Sequence, residues 1–250
     1  MNDKSLLFGL HAVQSLLSTH PSRIVRLIAL KERHDKRMQS LLDLARENNI
    51  SIELAPRHEL DRLSHHENHQ GLIAFCVPSK RYSENDLDKI LDQVSGPVLL
   101  LILDGVQDPH NLGACLRSAD AAGVHAVIAP KDKSAGMTPT VAKVASGAAD
   151  TVPFIQVTNL ARTLRELAER NIWIYGAAAD AEKSLYQADL TGPTALVLGA
   201  EGSGLRRLTR EHCDNLLNIP MKGSVSSLNV SVAAGVFLFE AVRQRILIIS

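Results

Sequence analysis

Aromatic residues and net charge are both scarce in this sequence of 250 residues. Phe, Trp and Tyr make up 4% of the chain, so few side chains can stack on the bases of single-stranded nucleic acid. The 27 Lys and Arg residues balance the 27 Asp and Glu residues, which excludes a histone-like polyelectrolyte but permits a local basic patch. A hydrophobic fraction of 45% at zero net charge excludes a disordered chain. The composition therefore predicts a globular protein with ample material for a core.

Cysteines are few, and long apolar runs are absent. Cys76, Cys115 and Cys213 are odd in number and far apart, so neither a disulfide framework nor a Cys-x-x-Cys metal site is predicted. No run approaches the roughly 18 apolar residues of a membrane span. The apolar run near the N-terminus, residues 6–10, is shorter than the core of a secretion signal. We therefore expect a cytoplasmic protein that makes no use of a membrane.

The composition changes near residue 78 and predicts two domains. The segment 78–96 is polar and rich in helix-breaking residues, so we interpret it as a linker between a first domain, residues 1–77, and a second domain, residues 97–250. Apolar spacing predicts a small α/β sandwich in the first domain. Its predicted helices are 11–18, 38–48 and 56–63, and its predicted strands are 24–30, 50–54 and 72–77.

The second domain alternates between strands and helices along its whole length. Its predicted strands are 98–103, 124–129, 154–157, 172–177, 195–198 and 216–219. Its predicted helices are 112–122, 138–145, one capped by Thr158, and 228–243. This order is typical of an α/β fold with a mostly parallel sheet and helices on both faces.

Three loops at predicted strand ends have unusual compositions: 103–117, 198–205 and 219–229. Open parallel sheets bind ligands at the carboxyl ends of their strands. The order Gly199-x-x-Gly202-x-Gly204 matches neither the dinucleotide-binding fingerprint nor the phosphate-binding P-loop. Taken alone, these glycines fit a simple strand-to-helix turn equally well. The serines of the third loop likewise fit either helix capping, with Ser227 as the cap, or contact with a ligand.

Taken together, the three loops resemble the ordered motifs of the SpoU (TrmH) branch of the SPOUT RNA methyltransferases. The motifs are Asn-Leu-Gly-Ala-Cys-Leu-Arg-Ser-Ala-Asp at 111–120, Leu-Val-Leu-Gly-Ala-Glu-Gly-Ser-Gly at 196–204, and Ile-Pro-Met-Lys-Gly-Ser-Val-Ser-Ser-Leu-Asn-Val-Ser-Val-Ala at 219–233. The resemblance covers nearly the whole chain. It is strongest to the subgroup that methylates the 2′-oxygen of a guanosine in bacterial 23S rRNA, in the peptidyl-transferase P-loop. Segments 8–13 and 69–71 resemble that subgroup's RNA-binding domain, which is similar to ribosomal proteins.

The resemblance implies a fold, a cofactor and partners that the residue pattern does not supply. The fold is a parallel sheet with a C-terminal deep trefoil knot, a topology that connection rules alone would reject. The methyl donor is S-adenosyl-L-methionine, the substrate is 23S rRNA, and the protein is a homodimer through its C-terminal domain. No metal is implied.

The resemblance also assigns roles to individual residues. The catalytic candidates are Asn111, Arg117, Glu201, Ser227 and Asn229, and the cofactor-binding candidates are Gly199, Ile219 and Leu228. Arg117 is the single cation in a helix of small residues, and a guanidinium suits bidentate phosphate recognition. Because a guanidinium stays protonated at pH 7, Arg117 is expected to hold the phosphate beside the target ribose rather than to act as a base. Glu201 is expected to fix Arg117 or Asn111.

The residues also permit other interpretations. A tRNA guanosine 2′-O-methyltransferase would share the three motifs, and a non-catalytic RNA-binding protein of ribosome assembly would share the fold. The triad His65, His66 and His69 suggests a metal site, but an RNA-facing loop is the preferred interpretation. His110 is a candidate substrate contact. Arg206, Arg207 and Arg210 form either a solvated helix face or a grip on rRNA phosphates.

Overall fold

The computed structural model describes residues 5–77 and 82–249, and the chain divides into two compact units, Met1–Lys80 and Arg81–Ser250. Each unit has its own hydrophobic core. None of the helices within the described ranges is both long and apolar enough to cross a membrane.

The first unit is a four-stranded sheet covered by helices on both faces. Its elements are β1 (Ser5–Phe8), α1 (Leu10–Thr19), β2 (Ile24–Leu30), α2 (Lys36–Glu47), β3 (Ser51–Ala55), α3 (Arg57–Leu63) and β4 (Leu72–Cys76). The strand order is β1-β4-β2-β3; β4 runs antiparallel to β1 and β2, and β2 is parallel to β3. The apolar faces of α1 and α2 pack on one side, and Leu60 of α3 packs on the other. The predicted sandwich is present, and the strand missed is β1, whose short apolar run lacks the alternation of a strand.

The predicted linker differs from the structure over much of its length. Glu84–Asp86 forms a 3₁₀ turn closed by a capping box between Ser83 and Asp86. Helix α4 (Leu87–Asp92) follows and buries Leu87 and Leu91 in the core of the second unit. Residues 84–92 are thus part of that unit, because two leucines four residues apart outweigh the polar composition around them. Residues 78–81 of the predicted linker lie outside the described residues.

The second unit is built on a seven-stranded sheet. Its strands are β5 (Leu99–Asp104), β6 (Ala126–Pro130), β7 (Phe154–Val157), β8 (Trp173–Ala177), β9 (Lys183–Ser184), β10 (Thr194–Gly199) and β11 (Asn215–Asn218). They lie in the order β7-β6-β5-β10-β8-β11-β9, and every pair is parallel. The predicted parallel α/β fold is confirmed. All six residues of β5 are buried, as expected of a central strand covered on both faces.

Helices cover both faces of this sheet. They are α5 (Pro109–Ala121), α6 (Pro139–Ala145), α7 (Ala148–Thr151), α8 (Leu160–Glu169), α9 (Arg207–Glu211) and α10 (Val230–Ile249). One core cluster joins α5, α6 and α10 to one face, and a second joins α4 and α8 to the other. Several predicted helix starts differ from the structure, and α5 begins at Pro109 rather than at residue 112. Asn159 rather than Thr158 caps α8 by accepting from the Arg162 N–H, and α10 begins at Val230 rather than Leu228.

Helix α10 extends past its predicted end at residue 243, to Ile249, because the side chain of Arg245 anchors its last turns. The Arg245 guanidinium donates hydrogen bonds to four backbone carbonyls, those of Pro97, Val98, Leu190 and Gly192. These carbonyls precede β5 and β10, so the end of α10 is tied to the amino ends of two central strands.

Candidate active site

The candidate site lies between β5 and β10. From β5 the chain adds strands β6 and β7 on one side, and the later strands lie on the other side of β5, beginning with β10. From β5 the chain passes into α5, which packs on one face of the sheet, whereas α9 follows β10 and packs against α8 on the opposite face. Neighbouring parallel strands whose connections leave to opposite faces open a crevice at their carboxyl ends, where open α/β sheets bind ligands. The three loops singled out in the sequence include the segments that follow β5, β10 and β11.

Asn229 is the centre of a hydrogen-bonded cluster in this crevice. Its Oδ1 accepts from the Ser231 N–H at 2.9 Å and from the Ser231 hydroxyl at 2.6 Å. Because a backbone N–H can only donate, Oδ1 must face Ser231, and this assigns the orientation of the amide. The Nδ2 group then donates to Asn111 Oδ1 at 3.0 Å and to Glu201 Oε1. Three predicted site residues from three separate loops are therefore in direct contact.

The starts of α10 and α5 both differ from the sequence prediction. Asn229, not Ser227, is the cap of α10, since it accepts from the second helical N–H and its own carbonyl accepts from Ala233 N–H at 2.9 Å. Asn111 does not start its helix, because Asp108 caps α5 and Pro109 occupies the first helical position. Asn111 thus lies inside the first turn of α5. Its Oδ1 accepts from Asn229, and its Nδ2 donates to no other group among the described residues.

The loop after β10 folds tightly back on the end of its own strand. Gly199 is the last residue of β10 and lies beside Asp104 in the parallel register with β5. A Cβ added at Gly199 would lie 2.1 Å from the carbonyl carbon of Gly204, so only glycine fits there. Gly204 has a φ of 65° and donates its N–H to the Ala200 carbonyl at 2.9 Å. This closed loop carries Glu201 to Asn229.

Asp104 anchors that loop, and it is not among the site residues that the sequence predicted. Its side chain is fully buried and accepts from the Arg206 N–H at 2.9 Å and from Arg206 Nε at 2.5 Å. The available sequence signal was an acid that closes an otherwise apolar strand, since a buried carboxylate requires a partner. Arg206, at the far end of the glycine loop, is that partner. Because the Arg206 guanidinium is already paired with Asp104, the structure argues against a role for Arg206 in binding rRNA phosphates.

The structure does not bring Arg117 and Ser227 to the cluster. Arg117 lies six residues after Asn111 in α5. At about 100° per residue, their side chains point in directions about 120° apart around the helix axis, so they leave different faces of the helix. Arg117 is exposed and has no hydrogen bond or ion pair with any residue that the structure describes. Ser227 is also exposed and makes no hydrogen bond within the described chain. Glu201 was predicted to fix Arg117 or Asn111; within the described residues it bonds neither directly and accepts from Asn229, which also donates to Asn111.

The three predicted cofactor residues lie at one edge of the sheet. Gly199 ends β10, Ile219 follows β11 directly, and Leu228 precedes the cap of α10. Among the described residues, segment 220–228 takes part in no backbone hydrogen bond, so its peptide groups are available to a ligand. A Cβ added at Gly202 or Gly223 would meet nothing within 4 Å, so open space lies beside both loops. These features fit a ligand held by backbone N–H and C=O groups, as the adenosyl and amino-acid parts of S-adenosylmethionine require.

The remaining polar candidates have other roles. Arg207 pairs with Glu211 at 3.0 Å, and Arg210 pairs with Asp180 through two hydrogen bonds. His110 is exposed, and its N–H donates to Asp108. Within residues 5–77 and 82–249, no group of three or more His, Cys, Asp or Glu side chains is arranged to hold a metal ion.

Residues 98–239, more than half of the chain, match the SpoU rRNA Methylase family. The chain belongs to this family. Residues 6–82 match a second family, described as RNA 2′-O ribose methyltransferase substrate binding. The resemblance noted in the three loops is therefore confirmed, and the second match spans most of the first unit.

Curated relatives are similar over both units of this SpoU family member. The chain is 59% identical to a 23S rRNA (guanosine-2′-O-)-methyltransferase RlmB of Photorhabdus laumondii over 240 residues, which is 96% of this chain and 98% of the relative. It is equally identical, over the same shares, to the protein of that name from Escherichia coli strain K12.

A solved structure of a SpoU methyltransferase is also similar to this chain. The SpoU methyltransferase AviRb of Streptomyces viridochromogenes, in complex with the cofactor AdoMet, superposes with a TM-score of 0.74 at 28% identity. The match covers 97% of this chain and 91% of AviRb. The fold of both units is thus that of a SpoU methyltransferase.

Proposed function

We propose that this protein transfers a methyl group from S-adenosylmethionine to the ribose 2′-oxygen of a guanosine in 23S rRNA. The observation that carries the proposal is the cluster of Asn111, Glu201 and Asn229 at the switch point of the sheet. The near-complete likeness to RlmB relatives supports rRNA as the substrate, and the first unit supports it over tRNA. We also infer a cytoplasmic location, where rRNA is made and assembled.

The chemistry explains the residue types. S-adenosylmethionine supplies an activated methyl group on a sulfonium, held by backbone groups around Gly199, Ile219 and Leu228. A ribose hydroxyl is a poor nucleophile at pH 7, so the protein must align its oxygen and help its proton to leave. The Nδ2 of Asn111 is positioned to donate to a ribose oxygen, because Asn229 already occupies the Oδ1 of the same amide. Glu201 and Asn229 act by fixing that orientation.

Arg117 is assigned to the RNA phosphate next to the target ribose. Its guanidinium stays protonated, so it cannot remove the 2′-hydroxyl proton itself. By holding the phosphate, it lowers the cost of negative charge developing on the 2′-oxygen, and the phosphate or a water accepts the proton. Ser227, exposed in the loop before α10, is assigned to orient the substrate.

Mapping of 2′-O-methylation in a strain that lacks the gene tests this function. We expect one guanosine of 23S rRNA to lose its methyl group, with tRNA unchanged, and the purified protein to restore it with S-adenosylmethionine. Loss of a tRNA methyl group would favour a tRNA methyltransferase, the second candidate from the shared motifs. A full rRNA modification pattern together with no S-adenosylmethionine binding would favour a non-catalytic assembly protein.

A homodimer through the second unit also belongs to the proposal. Val232, Phe239 and Ile246 lie seven residues apart on α10 and are 52%, 49% and 57% exposed, which forms an apolar stripe along one face. Such a stripe on a long helix requires a complement, and a second copy of the chain supplies an identical one.

Sedimentation of the whole protein checks this assembly. We expect a dimer at micromolar concentration, a monomer for Phe239→Glu, and a dimer for Leu208→Glu, a control at an equally exposed apolar residue of α9. A monomeric wild-type protein would contradict the dimer.

We also propose that the second unit contains the deep trefoil knot that the resemblance implies. The Glu201 to Asn229 hydrogen bond joins the loop after β10 to the segment that enters α10. A knot requires in addition that the C-terminal segment pass through the loop that it contacts, and this threading is what we propose.

A further inference from the structure

Four connections of the first unit meet at one edge of its sheet. Because β1, β2 and β3 run in one direction and β4 in the other, the chain leaves three strands and enters the fourth at this edge. Two hydrogen bonds tie the connections together. The Leu10 N–H donates to Gln70 Oε1 at 3.0 Å, and Arg33 Nη1 donates to the Gln70 carbonyl at 2.5 Å. The edge is therefore one assembled surface.

The segment before β4, residues 64–71, has an unusual backbone. His65, His66 and Gln70 have φ values of 52°, 62° and 51°, a region that residues other than glycine rarely adopt. The buried His69 holds the segment in place. Its Nδ1 accepts from the Gly71 N–H at 3.0 Å, so its Nε2 carries the proton and donates to Asp61 Oδ1 at 2.9 Å. Backbone strain that is held by surrounding contacts is a feature of ligand-binding segments.

A cleft of about 460 Å³ lies against this segment. It is lined by Leu30, Arg33, Arg57, Asp61 and residues 66–71. Its volume is within the range of small-ligand sites, about 300–1,000 Å³. The Arg57 side chain is 78% exposed, and the Asp61 oxygen facing it is 3.9 Å away. Since Asp61 is already bonded to His69, the Arg57 guanidinium can still contact a phosphate.

The charges of the segments at this edge, residues 31–37 and 57–67, are nearly balanced. They comprise six cations (Lys31, Arg33, Lys36, Arg37, Arg57, Arg62) and five acids (Glu32, Asp35, Glu59, Asp61, Glu67). A nearly balanced surface attracts RNA only weakly by net charge, so recognition there depends on shape and on base contacts. The chain is also poor in aromatic residues, so histidine and arginine planes are the groups available for stacking.

From these contacts we propose that the cleft binds one unpaired nucleotide of the RNA substrate, an inference that rests on the proposed function. The exposed ring of His66 stacks on the base, the Asn68 amide hydrogen-bonds to the base edge, and Arg57 contacts the phosphate. The His69 to Asp61 pair acts by holding the segment, not by touching RNA. The first unit thereby selects a loop or bulge in the RNA in preference to a regular duplex.

Binding of a 23S rRNA fragment that contains the mapped guanosine tests the site in the full chain. The double variant Arg57→Gln/Asn68→Ala should weaken binding at least about 10-fold in fluorescence anisotropy. It should also reduce the slope of log K against log salt by about 0.7–0.9, the value for one lost phosphate contact. The matched control is Arg46→Gln, an exposed arginine in the last turn of α2, at the opposite edge of the sheet. Its affinity should stay within about twofold of wild type.

A second readout separates this inference from loss of folding and from failure of the proposed function. The double variant should keep the wild-type affinity for S-adenosylmethionine and the wild-type circular dichroism. His66→Ala should weaken RNA binding without changing the salt slope. Wild-type RNA affinity in the double variant would overturn the cleft assignment and leave the methylation reaction untouched. Methylation by the wild-type enzyme at another atom or another RNA would instead contradict the proposed function.

Discussion

The buried pair of Asp104 and Arg206 yields the sharpest prediction for the second unit. Asp104→Asn keeps the size of the side chain but removes its charge and replaces one acceptor oxygen by an NH₂ donor. In the native protein, both carboxylate oxygens accept hydrogen bonds from Arg206. The variant therefore leaves either the Arg206 N–H or its guanidinium facing another donor.

The expected cost follows from burial. Breaking a buried pair costs about 3–5 kcal/mol. The Asp104 side chain is 0% exposed but that of Arg206 is 46% exposed, so water recovers part of the loss. We expect the free energy of unfolding of the second unit to fall by about 2–3 kcal/mol. Because Asp104 anchors the loop that carries Glu201, methyl transfer should also fall by about 10- to 100-fold.

Urea unfolding followed by tryptophan fluorescence is the assay. The chain has a single tryptophan, Trp173, at the start of β8, so the signal reports on the second unit. The matched control is Asp180→Asn, which removes an equally well-formed pair with Arg210 where the Asp180 side chain is 70% exposed. That change should cost far less stability than Asp104→Asn, because water screens an exposed ion pair. Equal losses of stability for the two variants would refute the argument from burial.

Three further outcomes are expected. Arg117→Ala should lower the rate of methyl transfer by about 10²–10³-fold with cofactor binding intact. Arg117→Lys should also fail, because a point charge does not reproduce the planar guanidinium. Normal turnover of either variant in steady-state kinetics would remove Arg117 from the mechanism. Gly199→Ala should abolish S-adenosylmethionine binding in calorimetry because its Cβ would overlap the Gly204 backbone, whereas Gly192→Ala, at the amino end of β10 with open space around the added atom, should bind normally. Burial raises the pKa of Cys115 to about 12 from an ordinary value of 9.0, so its thiol should resist alkylation at pH 8.5 until the protein is unfolded. The raised pKa contributes stability that is present below about pH 9 and is lost as pH rises toward 12. The difference in unfolding free energy between wild type and Cys115→Ala should decline over that interval.

Local patterns predicted most of the fold because they act over a few residues. The apolar run 98–103 predicted the central strand, and the strand and helix alternation predicted the parallel sheet. Predictions were wrong where a tertiary contact outweighed local composition. Leu87 and Leu91 convert part of the apparent linker into α4, and Asn159 caps α8 although Thr158 is adjacent.

The candidate site divides in the same way. The three loops were recognisable because their residue order is distinctive, and their strand-end positions follow from the alternation of elements. Neither property shows which side chains touch. The resemblance paired Glu201 with Arg117 or Asn111, whereas the structure bonds Glu201 to Asn229 and leaves Arg117 on another face of α5.

The sequence by itself determined the two-part organisation, the α/β class, the positions of most strands other than β1 and β9, and the family, since each depends on residues close together in the chain or on motif order. The tertiary structure decided the partners. Asn111 and Asn229 are 118 residues apart, and Asp104 and Arg206 are 102 apart. Asp104 and Arg206 meet because β10 lies beside β5 in the sheet, and Asn111 and Asn229 meet because α10 packs against α5. Strand order and helix packing are set by the whole domain rather than by any local pattern.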